Sequence, residues 1–171
     1  MNLETIYLAG GCYWGLESLI GQIKGIQETV VGFSGGHIDD VSYEDVSSGQ
    51  TGHAETIMIK FDKDALSFEN LLYEFFKLHN PTTPNQQGND IGSQYRSSIF
   101  YTSNNQKEIA ENVIKKVEGS GHWEAKVVTE IKAFDKFFPA EEAHQKYLEK
   151  ILVGTPATSK ETSIINKNNL S

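Results

Sequence analysis

"TIYLAGGCYWGLESLIGQI", residues 5–23, decides how the rest of the chain is read. Residues 5–9 form a β-rich run that stops at Gly10 and Gly11, residues suited to a sharp turn. Beyond them Leu16, Leu19, Ile20 and Ile23 recur at the spacing of one helix face, which predicts a helix over 14–24. The stretch is strand, glycine turn, helix. At its corner stands Cys12, the single cysteine among 171 residues. A lone cysteine is commonly a small buried hydrophobe. At or just before a helix N-terminus, however, unpaired N–H groups and the positive dipole end favour a thiolate, the nucleophilic form. On this motif alone both readings stand.

Working outward, "IQETVVGFS" (26–34) reads as a strand, and 35–52 as a long polar loop. "HAETIMIKF" (53–61) alternates as a strand does, and Ser67 can cap a helix whose apolar positions are Leu71, Leu72, Phe75 and Phe76. Residues 79–97 form a second loop rich in Pro, Asn, Gly and Gln, and "SSIFYT" follows it as a strand. Residues 104–118 predict an amphipathic helix with Ile109, Val113, Ile114 and Val117 inside; "AKVVTEI" reads as a strand; "PAEEAHQKYLEKI" starts a helix with Pro139 near its first turn. Through Tyr101 the order is β-α-β-β-α-β, the split βαβ pattern. The expected fold class is α/β, a two-layer α+β plait with a ferredoxin-like βαββαβ core extended by a helix, a strand and a helix. Residues 1–154 form the expected domain, and 155–171 a polar, loosely ordered tail.

A net charge of −8 disfavours a nucleic-acid backbone as partner. No stretch is long and apolar enough to span a bilayer as a helix, and "MNLETIYLAGG" has no basic leader. One cysteine excludes an internal disulfide and four-cysteine zinc sites, which predicts a cytoplasmic protein without a bound metal.

Nucleotide loops fail on spacing. Gly10 and Gly15 are followed by Leu16 and Glu17 rather than Lys and Ser/Thr, and the Rossmann glycine pattern is absent. His53-Ala54-Glu55 is half of a zinc deaminase signature, but no later P-C-x-x-C exists. On a strand His53 and Glu55 share a face, and a solvated strand edge accounts for them equally well. Tyr43 and Tyr95 stand in polar loops, where half-buried tyrosines commonly anchor structure. "NQQGND" reads as a loop that hydrogen-bonds itself, and its Asp90 suits capping or binding.

Taken together, "GGCYWG", "VVGFSGG", "SYEDVSSGQTGHAE" and "HNPTTPNQQGNDIGSQYRS" resemble, in order, the blocks of peptide-methionine sulfoxide reductase A, over roughly residues 5–150. The resemblance implies reduction of the S epimer of methionine sulfoxide, free or in peptides and proteins, as protein repair after oxidative damage. It makes Cys12 the nucleophile and Glu55 the acid for the departing oxygen, assisted by the hydroxyls of Tyr43 and Tyr95. Tyr13 and Trp14 become the apolar wall for the sulfoxide methyl, and Asp90 a holder of the substrate main chain. A glutamate serves as an acid near neutral pH only if burial or hydrogen bonding raises its pKa. The product on the enzyme is a cysteine sulfenic acid.

Tyr13 stands where the family usually has phenylalanine, Gln86 where it often has arginine, and Ser47 where many members carry another cysteine. The tail lacks the recycling cysteines of many relatives, so an external thiol (thioredoxin, glutaredoxin or glutathione) is the expected reductant. Two other classes remain open at this level. One is a cysteine hydrolase or acyltransferase with His53, His79 or His144 as base. The other is a non-catalytic peptide-binding module that retains the aromatic pocket.

Overall fold

The computed structural model describes residues 1–154. The chain begins β1 (Leu3–Gly10), α1 (Tyr13–Ile20), β2 (Ile26–Ser34), α2 (Tyr43–Ser47), β3 (Ala54–Asp62) and α3 (Phe68–Leu78). It continues with a small hairpin of β4 (Gln86–Gln87) and β5 (Asp90–Ile91), then β6 (Ser97–Tyr101) and α4 (Asn104–Gly119). β7 (Glu130–Ala133), β8 (Phe137–Pro139) and α5 (Tyr147–Gly154) complete it. The fold is mixed α/β around a six-stranded sheet of order β7-β6-β1-β3-β2-β8, antiparallel except for β6 against β7.

Period-two alternation along β1, β2 and β3 sets the core. The register pairs Ile6 with Ile59, Leu8 and Val31 with Ile57, and Phe33 with Glu55. These side chains, with Phe61, lie on one face and are buried. Each fully buried aliphatic or aromatic side chain contributes about 1.5–3 kcal/mol. Leu16 and Ile20 of α1, Leu71, Leu72 and Phe75 of α3, and Ala110 and Val113 of α4 fill the same cluster. The helices start where they should: Ser67 accepts from the Asn70 amide at 3.1 Å, and Ser103 from the Gln106 amide at 3.2 Å. Glu55 is two residues before Ile57 and shares its inward face, so the β3 register carries a carboxylate into apolar surroundings.

Several boundaries differ from expectation. The first helix stops at Ile20, because the chain turns through Gly21 and Gly25, the latter at φ 103. Residues 125–129 do not begin a ladder; the Val128 amide donates to the Pro81 carbonyl at 2.8 Å, and pairing starts only at Glu130. The helix expected from Pro139 is wrong at its start. Pro139 ends β8, an edge strand paired through Gly32, where the missing proline N–H is harmless. A Cβ on Gly32 would come within 2.4 Å of the Phe138 carbonyl oxygen, so this close strand approach needs glycine. The extension is therefore a helix, two strands and a helix rather than a helix, a strand and a helix. The tail expected at 155–171 lies outside the described residues.

Candidate active site

Cys12 closes the turn between β1 and α1. Gly11 reaches it with φ 98, and a Cβ there would stand 2.6 Å from the Gln87 Cγ. Cys12 is the N-cap residue of α1 and is half-buried. The amides of Trp14 and Gly15 favour its anion, although the neutral thiol makes no full capping hydrogen bond to them. Burial opposes them first, then the negative charge of Glu55, and the thiol is pushed up to about 12. The thiolate expected from the helix terminus is outweighed here. At rest Cys12 is a protonated thiol.

Glu55 is 2% exposed, and its Oε1 accepts from the Tyr13 amide at 3.1 Å. Burial pushes its carboxyl up to about 8, past the lowering by that amide, and the charge of Asp90 adds to the rise. A group held there is largely protonated at neutral pH and able to give the proton up. The solvated-edge reading of His53 and Glu55 does not hold, since both are buried.

The tyrosines meet the pair from two loops. Tyr43 opens α2, whose Ser42 and Asp45 form a reciprocal capping box, and Tyr95 ends a 3-10 turn over Ser93–Tyr95. Burial and then the Glu55 charge raise both phenols, so each remains a hydrogen-bond donor. Asp90 is exposed on the hairpin, and its charge also raises Cys12. Gln87 ties that hairpin down, its side chain accepting from the Asn80 amide at 2.8 Å and donating to the Asn80 carbonyl at 2.9 Å. The Gln86 side chain donates to the Gly88 carbonyl at 3.0 Å, and Ser47 is exposed at the end of α2.

Tyr13 is wholly buried, and its hydroxyl finds His144 Nδ1 at 3.2 Å. Trp14 Nε1 donates to the same atom at 3.1 Å, which fixes Nδ1 as an acceptor. The indole is half-buried, stacked on Tyr147 at 4.0 Å between centroids, with Tyr43 and His144 at 6.2 and 5.3 Å. His144 and Tyr147 were not anticipated in this wall. The sequence offers His144 only as a candidate base and Tyr147 only as an aromatic in a stretch that reads as helix.

None of the three imidazoles hydrogen-bonds Cys12. His53 accepts from the Gly36 amide at 3.0 Å and reaches the Ile38 carbonyl at 2.6 Å, which pins the 35–52 loop. His79 is bound to the Phe75 carbonyl and the Ser97 hydroxyl, both at 2.7 Å, and burial holds it down to about 4. The hydrolase reading thus lacks its base. No group of three or more His, Cys, Asp or Glu side chains among the described residues is placed to hold a metal ion. No helix among them is long and apolar enough to cross a membrane.

Comparison with known proteins follows the same line. The family pattern described as "Peptide methionine sulfoxide reductase" matches residues 4–169. Peptide methionine sulfoxide reductase MsrA 1 of Mesorhizobium japonicum is 48% identical over 149 residues, covering 87% of this chain and 84% of that protein. The crystal structure of reduced Mxr1 from Saccharomyces cerevisiae superposes with a TM-score of 0.81 at 35% identity, over 90% of this chain and 88% of that one. Mxr1 in complex with Trx2 superposes at 0.58 and 26% identity, over 85% of each chain. With a match spanning nearly its whole length, the chain belongs to the peptide methionine sulfoxide reductase family and is a reductase of the MsrA type.

Proposed function

We propose that this MsrA-type enzyme reduces the S epimer of methionine sulfoxide through a sulfenic acid at Cys12, which an external thiol then reduces. The observation that carries the reading is the pairing of a half-buried thiol with a buried carboxyl held up to about 8. A sulfoxide oxygen leaves only when protonated. Glu55 supplies that proton while Tyr43 and Tyr95 donate hydrogen bonds to the oxygen. Cys12 Sγ attacks the sulfoxide sulfur as its own proton passes to the oxygen side. The S–O bond breaks to release water, which adds to Cys12 Sγ as the new S–S bond breaks with its electron pair going to the substrate sulfur. The surplus proton returns to Glu55, leaving methionine and Cys12 as sulfenic acid. Trp14 and Tyr13 wall the methyl group, and Asp90 holds the substrate main chain. Fixing methyl, oxygen and main chain at three points admits one hand at sulfur.

Cys12 is alone in the chain, so no internal disulfide can follow. Two equivalents of external thiol return the sulfenic acid to the thiol, releasing a disulfide and water. A thioredoxin-type protein is the reductant we favour, supported by the complex of Mxr1 with Trx2; a glutaredoxin or glutathione would supply the same chemistry. A lone thiol kept reduced suits the cytoplasm. We also read β6-β1-β3-β2, with α1 and α3 as crossovers, as a ferredoxin-like plait; its antiparallel strand order supports this. Residues 1–154 are then the catalytic domain.

The test is single turnover without reductant on each sulfoxide epimer. We expect one methionine per enzyme from the S epimer, a mass gain of one oxygen, dimedone labelling at Cys12, and neither product with Cys12→Ser. Comparable rates on both epimers, or several methionines per enzyme, would refute the scheme.

A further inference from the structure

Glu17 is a buried acid outside the reacting pair. It lies on α1, one turn beyond Trp14, and is 4% exposed. Its Oε1 accepts from the Lys146 amide at 2.8 Å, and its Oε2 from the Thr29 hydroxyl at 2.9 Å. The Lys146 ammonium stands 3.9 Å from Oε2 and donates to the Thr29 carbonyl at 3.2 Å. Lys146 has φ 50, the left-handed region that a lysine seldom occupies. That residue links the turn ending at His144 to α5, which opens at Tyr147. Both rings lie against the same indole, at 5.3 and 4.0 Å between centroids.

We propose that Glu17 is a positioning residue: by holding the Lys146 turn it keeps His144 and Tyr147 against Trp14 and so shapes the methyl-receiving wall. The proposal rests on the reading of Trp14 as that wall. The helix that presents Cys12 thus grips the far end of the chain at two points, Trp14 on His144 and Glu17 on Lys146. Gln145, between them, pairs its side-chain amide with the Val31 amide and carbonyl, both at 2.9 Å. A hollow of about 130 Å³ already lies behind the wall, lined by Trp14, Glu17, Thr29, Lys146 and Leu148 among others. Shortening Glu17 enlarges that hollow, and the wall loosens into it.

The experiment uses a Trp123→Phe background, which leaves Trp14 as the sole indole of the two. Glu17→Ala is expected to raise KM for a methionine sulfoxide peptide about tenfold while leaving the single-turnover rate at saturation within about threefold. It should also shift Trp14 emission to the red and increase quenching by acrylamide. Glu17→Gln keeps an acceptor for the Lys146 amide and is expected to bring KM back within about threefold. A folded Glu17→Ala with unchanged KM and emission overturns the proposal. So does a lower saturated rate without a rise in KM, which would place the effect on the chemistry. If Glu17→Ala does not fold, Gln145→Ala frees the same segment from β2 and must give the same rise and shift; neither change appearing overturns the proposal. Absence of turnover in the unmutated enzyme would fail the functional reading instead, while the emission readout still judges the clamp.

Discussion

Replacing Glu55 with glutamine should make the enzyme slower and the fold more stable at once. In the native chain burial holds the carboxyl up to about 8, against an ordinary 4.5. Above 4.5 the unfolded chain releases this proton while the native chain keeps it, so unfolding becomes easier as pH rises towards about 8. At 1.36 kcal/mol per unit, the span from 4.5 to pH 7 amounts to about 3 kcal/mol against the native state. Glutamine keeps the shape and an oxygen for the Tyr13 amide, and it does not ionise. The unfolding free energy of Glu55→Gln minus that of wild type should therefore grow by about 1.4 kcal/mol per pH unit from 5 to 7, and level off above 8. His79 acts in the opposite sense. Burial holds its imidazole down to about 4, so its contribution is present above 6.5 and lost as pH falls towards 4. Below 6.5 the two trends partly cancel in the wild type, and the difference isolates Glu55. Urea denaturation at pH 5, 6, 7, 8 and 9 reads it directly. In parallel, single turnover should fall by about 10²–10⁴-fold in the variant. The wild-type rate should decline as pH passes about 8. A stability difference that stays flat from pH 5 to 8 would mean an ionised carboxylate throughout, and the acid assignment would fall with it.

Tyr13→Phe removes the hydroxyl on His144 but leaves the Trp14 donor in place, so stability should drop by no more than about 1 kcal/mol, with KM nearly unchanged. A larger loss in urea midpoint or KM would give that hydroxyl a task beyond tethering. Gly11→Ala puts a side chain at φ 98 and 2.6 Å from Gln87, and should cost at least about 2 kcal/mol by thermal melting, together with activity. A wild-type Tm would show that the turn and hairpin yield freely. Tyr43→Phe and Tyr95→Phe singly should slow single turnover less than Glu55→Gln, because each hydroxyl covers in part for the other. A phenylalanine variant as slow as Glu55→Gln would make that tyrosine the proton donor.

Local signals carried much of this fold. The β1 turn into α1, the β2 and β3 alternation and the Ser67 cap each depend on neighbours within a few residues, and they stand within a residue or two of where the sequence puts them. The C-terminal part was less legible. β8 is three residues long and exists only because it finds the free edge of β2. Before that partner is known, Pro139 serves a helix start as well as a strand end. The site divides in the same way. Cys12 drew notice from its own surroundings, a glycine turn before a helix, whereas Glu55, Tyr43 and Tyr95 each had an ordinary structural reading and were marked only by the family resemblance of the blocks that hold them. The packing roles of Tyr147, Gln87, Glu17 and His144, the last named only as a possible base, were not legible, since their contacts with Trp14, Gly11 and Lys146 are made only after folding. Even Cys12, correctly placed at a helix terminus, has a resting protonation that depends on burial and on Glu55, which arrives from 43 positions away.

The surroundings that hold the Cys12 proton at about 12 also set what the protein ignores. At neutral pH the thiol is therefore the dominant form and the thiolate the minor one, and peroxides and alkylating agents react with the thiolate. An unoccupied enzyme should therefore be labelled by iodoacetamide far more slowly at pH 7 than a free cysteine peptide, and labelling as fast as the peptide would contradict this. A bound sulfoxide changes the situation, because its oxygen is a base positioned to take the proton as the sulfur attacks. Chemoselectivity follows: the same oxidants that create the damage find little to attack in the catalyst that reverses it. For a chain with one thiol and no neighbour to rescue it, that reticence is a form of self-preservation.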